Sequence, residues 1–464
     1  MGKGTKSGFK TFIILLIALI GAFILGCGAI MLLSPGVSIF GLKYMSHTGD
    51  VYIKEVSIDG VQQKIDIGDY DKVLIQTNYA HVNIAYGKEN ALQTNFCLKK
   101  SSSGFYKDGS RDAYSYSLTK EQIGEDIVLK FVLNEPDYSF IQITGSTVLS
   151  LNLSVNETDS VNKKIDVQTK YGNVFMGTGT SASELTVEYK ANQANVVTEK
   201  GNITLSTYFD VENSLNLQTK SGKINIERNL STQNISLNSD SGQINAKNFT
   251  NNTSSLMFKT EKSHIRVGEI AGDVYVDAKS GIFDAVLISG SLSAPSTIET
   301  VKFNISSVLG DIYLANEKGR FGVNIGKIGG NVNISTEGGS VKVGRLFGQT
   351  YIATKNAEID VLVDKTNDKT IVISSTEGKI KVNFEQVLGS NTITSEKGEI
   401  NVKCALASAF RLNASSEKGS IKKVWEDKVI KGEVISGEGI GSQPLEGNIL
   451  NLASISGNIS IDRY

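Results

Sequence analysis

The residues able to do chemistry are few and scattered. The chain holds three His (His47, His81 and His264) and three Cys (Cys27, Cys97 and Cys404). None stands at the spacing of a metal site, and Cys97 and Cys404 read as two unpaired thiols. His264 lies in EKSHIRV, at a position that neighbouring copies of a repeat fill with Asn, Lys or Gln, so it reads as an ordinary outward residue. The Walker, HExxH, CxxC and GxSxG patterns are absent.

Carboxylates give the sharper test. Asp273, Asp311 and Glu399 recur just after repeat glycines. A glycan hydrolase needs two carboxylates at a fixed separation. Other copies place Asn, Lys, Gln, Arg or Ser at the same kind of position, which is the pattern of a solvated face. The nine-residue calcium pattern of toxin repeats is also missing. No catalytic, cofactor-binding or metal-ligating residue is therefore assigned. No cofactor is expected, and the chain is not read as an enzyme. Twelve Asn-x-Ser/Thr triplets occur, in a chain rich in all three residues.

Composition points to architecture. The 464 residues carry 47 Lys plus Arg against 48 Asp plus Glu, a net charge of -1. That balance excludes a strongly basic nucleic-acid binder. Gly is 46 and Pro only 4, which suits a chain of many tight corners.

The corners repeat. The unit is Ser/Thr-x-x-Gly-x-Ile/Val-x-Val/Ile, with glycines at Gly172, Gly201, Gly222, Gly242, Gly281, Gly319, Gly339, Gly378, Gly398, Gly419 and Gly457. Ser263 and Ala357 hold the register where Gly is missing, and residues near Val301 and Gly439 fill two double-length gaps. A second unit precedes the first by about nine residues: IAGDVYV, VLGDIYL, IGGNVNI, LFGQTYI and VLGSNTI. Each period of about 20 residues thus holds two alternating strands and two corners. Stacked coils would bury a continuous core, pair their backbones above and below, and exclude Pro from the ladders. Corner glycines are expected to supply positive φ.

The predicted fold is all-β: a single-stranded β-solenoid (β-helix) with about 20 residues per coil, preceded by one transmembrane helix. Thr11 to Leu33 is an uncharged, mostly apolar run, preceded by Lys3, Lys6 and Lys10. A helix of that length crosses a bilayer core. The positive flank places the amino terminus in the cytoplasm and the rest outside. A cleaved signal sequence and lipidation at Cys27 are the competing readings.

The domain reading is 1–10 cytoplasmic, 11–33 transmembrane, 34–50 stalk, 51–160 β-rich with an irregular insertion at about 88–135, and 161–464 solenoid. The less repetitive stretch 424–448, with the sole Trp425, is read as a segment able to fold over the open end of the stack.

The units SGKINI, AGDVYV, LGDIYL and EKGEIN, in this two-strand rhythm, resemble the DUF4097-type family of bacterial adhesin-like repeat domains. The resemblance covers about residues 160–464, or 70–464 if the similar texture at 72–87 is included. It implies a β-solenoid, often behind a single membrane helix. The family supplies no agreed ligand residues to carry over. The segment at 88–135 and the length of the stack depart from its pattern.

The expected function is that of a membrane-anchored, extracytoplasmic adhesin or envelope-structural binding module. Its expected partners are the membrane through 11–33 and a glycan, cell-wall or protein ligand, with a homo-oligomer as an option and no nucleic acid. A self-assembling scaffold is the alternative, and a glycan-active β-helix enzyme ranks last.

Overall fold

The computed structural model describes residues 5–34, 37–39, 41–52, 57–58, 61–62, 64–66, 71–78, 81–87, 91–107, 115–134, 138–145, 148–156, 163–177, 189–206, 209–250, 255–295, 299–426, 428–431, 434–441 and 446–464. The chain divides into two compact units. One comprises 1–83, 90–154 and 169–172, and the other 84–89, 155–168 and 173–464.

The first unit contains the helix Thr5–Leu33. Its segment Ile13–Leu33 has a mean hydropathy of 2.9, and Met31 is its one buried side chain. It is long and apolar enough to cross a membrane. The helix begins before Thr11, because nothing in 5–10 breaks it.

The same unit holds a mostly antiparallel sheet. The strand Ala91–Lys107 pairs with Leu42–Tyr52 and with Tyr138–Gly145. Ser115–Ile123 and Asp126–Asn134 form a hairpin, turned by Gly124 at φ 66° and Glu125. Much of the stretch expected as an irregular insertion is therefore strand. The reason is legible in DIVLKFVLN: Ile127 and Leu129 are buried and Lys130 is exposed, a half-buried alternation.

The second unit is a parallel β-solenoid. Each coil offers two strands, and successive coils pair in register. Examples are Ile203 with Ile224, Ile224 with Ile244, and Val323 with Val341, so coils run from 18 to 21 residues. Strands such as Ile371–Ser375 and Ile380–Phe384 alternate buried and half-exposed residues along their whole length. Each inward side chain therefore stacks on its counterpart in the next coil. Phe283 stacks in this way on Phe303, with ring centroids 6.1 Å apart, and Phe258 and Phe321, in register with Val276 and Val301, meet those two rings at 5.5 and 5.9 Å.

The repeat motif has a direct physical cause. The Thr219 hydroxyl accepts the Gly222 N–H at 2.9 Å and donates to the Gly201 carbonyl of the preceding coil at 3.0 Å. Ser239 does the same with the Gly242 N–H and the Gly222 carbonyl, at 3.0 and 3.1 Å. One buried hydroxyl thus closes a corner and ties two coils. The glycine three residues on is needed for space. A Cβ at Gly222, Gly242, Gly378 or Gly398 would run into the carbonyl of the coil beneath. Of the corner glycines of the two repeat units, only Gly281, Gly339 and Gly389 have positive φ, at 140°, 107° and 65°. The expectation that corner glycines serve mainly for positive φ is corrected accordingly: coil-to-coil approach dictates most of them.

The carboxyl end departs from a simple stack. Ser390–Ser395 pairs with Ile449–Ser454, which pairs in turn with Phe410–Ser416. Ile400–Cys404 likewise pairs with Ile459–Arg463, which pairs with Ser420–Lys423. The last repeat in sequence is thus an inner coil in space. The chain skips a layer, returns antiparallel along Lys428–Lys431 and Val434–Ile440, and then fills the gap it left. Gly439 faces Arg411 in that antiparallel return and is not the corner of an intermediate coil. Within the 424–448 stretch, Lys428–Lys431 and Val434–Ile440 do fold over the end of the stack.

Candidate ligand-binding face

The residues singled out from sequence are mostly committed to structure. Asp273 Oδ1 accepts the Ser291 N–H at 2.8 Å, and Asp311 Oδ1 accepts the Asn331 N–H at 2.6 Å. Asn331 continues the ladder by accepting the Gln349 N–H at 3.1 Å. These carboxylates tie one coil to the next. Glu399 accepts from Lys379 Nζ at 2.7 Å, and that bond and charge hold its carboxyl below the ordinary value.

His264 is outward, as expected, yet it is engaged. Its Nε2 lies 2.6 Å from Asp284 Oδ2, and Asn304 donates to Asp284 Oδ1 at 2.8 Å. Burial pushes the Asp284 carboxyl up, but the bonds from His264 and Asn304 outweigh it and the net shift is down. Burial pushes the His81 imidazole down. Cys404 is a buried free thiol pushed up to about 12 by that burial, and Cys27 is free within the helix. The side chains of His47 and Cys97 lie outside the described residues. Among the described residues no group of three or more His, Cys, Asp and Glu side chains could hold a metal ion.

What sequence reasoning missed is a row of tyrosines. Register puts Tyr275 beside Ser293, Ser293 beside Tyr313, Tyr313 beside Asn333 and Asn333 beside Tyr351. All lie on the outer surface of one sheet. Tyr275, Tyr313 and Tyr351 are 39%, 54% and 48% exposed, while the residues flanking each in its strand are buried. Ala315, Ser335 and Ala353 form the adjoining outward row, so the rings rise beside small side chains. The signal was in the repeat itself: GDVYV, GDIYL and GQTYI each place Tyr third after a corner glycine.

The row continues past Tyr351 through Val372, Thr392 and Asn451 to Asn413. Beside it lies an open groove of about 760 Å³, counting its mouth, lined by Ser374, Thr394, Ser415, Glu396 and Glu417 among others. Val434 and Ser436 of the antiparallel return border the adjoining hollow. The face therefore offers aromatic rings at one end and clustered hydroxyls at the other. Such a surface suits a ligand with both apolar faces and hydroxyls.

A model of the family described as Toastrack DUF4097 matches residues 70–462. Among curated proteins none matches the chain. One solved structure, described as a "putative cell adhesion protein" from Clostridium sporogenes, is 11% identical, covers 91% of this chain and 100% of its own, and has a TM-score of 0.14. A likeness at that score carries no argument about this chain.

Proposed function

Because the chain belongs to the DUF4097 toastrack family, we propose that it is a membrane-anchored, extracytoplasmic binding module that uses one sheet of its solenoid as the contact surface. The observation that carries this reading is the exposed row of Tyr275, Tyr313 and Tyr351. Aromatic side chains aligned on a regular sheet and left to solvent cost solubility, and such patches mark contact surfaces. The apolar segment Ile13–Leu33, with Met31 its one buried side chain, supplies the anchor. Lys3, Lys6 and Lys10 before it favour an inward amino terminus.

A binding role is also supported by how the carboxylates are used. Asp273, Asp311 and Glu399 hold coils together instead of converging on a reacting bond. The antiparallel return over Phe410–Ser416 argues against end-to-end assembly through that coil. Protease shaving of intact cells tests the reading. Release of peptides from 189–464 is expected, and protection of that whole range until lysis would overturn it.

A further inference from the structure

Resting on that reading, we propose that the tyrosine row is a stacking ladder for an uncharged, extended β-1,4-linked glucan chain lying along the stack of coils. The argument begins with spacing. Neighbouring coils lie about 4.8 Å apart, so tyrosines on alternate coils recur at about 9.6 Å. Tyr275, Tyr313 and Tyr351 occupy alternate coils, with Ser293 and Asn333 between them. That advance is close to the two-sugar repeat of an extended β-1,4-linked chain, so each coil meets one sugar. Every second sugar would lay its C–H face on a tyrosine ring, and the intervening one would meet Ser293 or Asn333.

Charge selects among polymers. Asp273 and Asp311 border the row on one side, with Ser291, Asn331 and Gln349 between and beyond them. Asp277, Ala315, Ser335 and Ala353 border it on the other. Neither border carries a Lys or Arg over these coils. Lys259, in register with Asp277 one coil before, stands 4.0 Å from its carboxylate. An anionic polymer would meet the carboxylates of Asp273 and Asp311, and Lys259 is already drawn to Asp277, whereas a neutral glucan presents hydroxyls that donate to those carboxylates. Each ladder bond uses only the Oδ1 of Asp273 or Asp311, and the carboxylate has a second oxygen to accept a sugar hydroxyl. The small residues beside the rings admit a flat, unsubstituted ribbon.

The test is calorimetric titration of the full chain, held in a detergent without a sugar headgroup, with cellohexaose. Binding is expected. Tyr313→Ala should weaken it at least tenfold, whereas Tyr313→Phe, which keeps the stacking face, should stay within threefold. An unchanged circular dichroism spectrum checks the fold of both variants. No binding of cellohexaose, or binding indifferent to Tyr313→Ala, would overturn the proposal. Chitohexaose and an anionic teichoic polymer serve as further probes. If either binds through Tyr313 while cellohexaose does not, the glucan inference fails and the reading of a surface binding module stands. If no probe binds and intact cells protect 189–464 from protease, both fail.

Discussion

The Ser416 hydroxyl donates to the Gly457 carbonyl at 3.1 Å and accepts the Gly419 N–H at 3.1 Å. This is the same corner bond that Thr219 makes to Gly201, but its direction along the chain is reversed. At Thr219, Ser239 and Thr336 the tied carbonyl belongs to an earlier coil. Here it belongs to one that folds in later, between coils already laid down. The carboxyl-terminal repeat is therefore held on both sides.

This placement predicts an unusual cost for a mutation near the chain end. Leu452 is 2% exposed. Leu452→Ala should destabilise the solenoid by about 3 kcal/mol, the range for an inner core position. Urea unfolding in detergent measures it. A cost under about 1 kcal/mol would instead mark a frayed terminal coil.

Corner glycines make a second contrast. A Cβ at Gly378 would press on the Ala357 carbonyl and lie 2.9 Å from Ser375 Oγ. Gly378→Ala should cost about 2 kcal/mol through forced separation of coils. Gly447 has nothing within 4 Å. Gly447→Ala should fall within about 0.5 kcal/mol of the parent. Equal effects at both sites would refute the close-approach explanation.

Lys423 predicts a pH dependence. It occupies an inward position beside Ile461, its side chain is 6% exposed, and Nζ reaches Glu438 at 2.6 Å and Glu426 at 3.1 Å. Burial lowers its pKa, but the bonds to Glu438 and Glu426 outweigh that and leave it raised. A raised folded value means that the stabilisation is fully present below the ordinary 10.5 and is lost as pH climbs through the folded value. Lys423→Ala should cost about 1–2 kcal/mol at neutral pH, discounted because both glutamates face water. Thermal melts should show the gap between parent and variant closing in strong alkali. A gap that widens there would contradict the sign.

Cys404 should be chemically silent while folded. Burial pushes its thiol up to about 12, which leaves almost no thiolate at neutral pH. Iodoacetamide followed by peptide mass spectrometry should find Cys404 unmodified in the native chain and modified in denaturant. Rapid native alkylation would show that the coil Ile400–Cys404 opens readily.

Much of this architecture was legible in the residues. The Ser/Thr-x-x-Gly spacing located the corners, and Val301 stacks on Gly281 as the double-length gap implied. The order of the last coils was not legible. Repeats such as SSEKGSIKK and SISGNISI fit the same groove, so spacing along the chain cannot say which lies innermost. Lys423 held the clue. A lysine in a row otherwise filled by Val402 and Ile461 suits a coil whose neighbour supplies carboxylates, and Glu438 on the antiparallel return does so. The tyrosine row escaped because strand alternation was read for its buried half. Ser, Asn and Tyr all serve as outward residues, and only the coil-to-coil register aligns Tyr275 with Tyr313 and Tyr351.

The central claim is that this tyrosine face is presented outside the membrane. Tyr313→Cys, labelled on intact cells with a membrane-impermeant maleimide, tests it most directly, with the parent chain as background. Strong labelling before lysis is the predicted result. Labelling that appears only after the membrane is opened would contradict it.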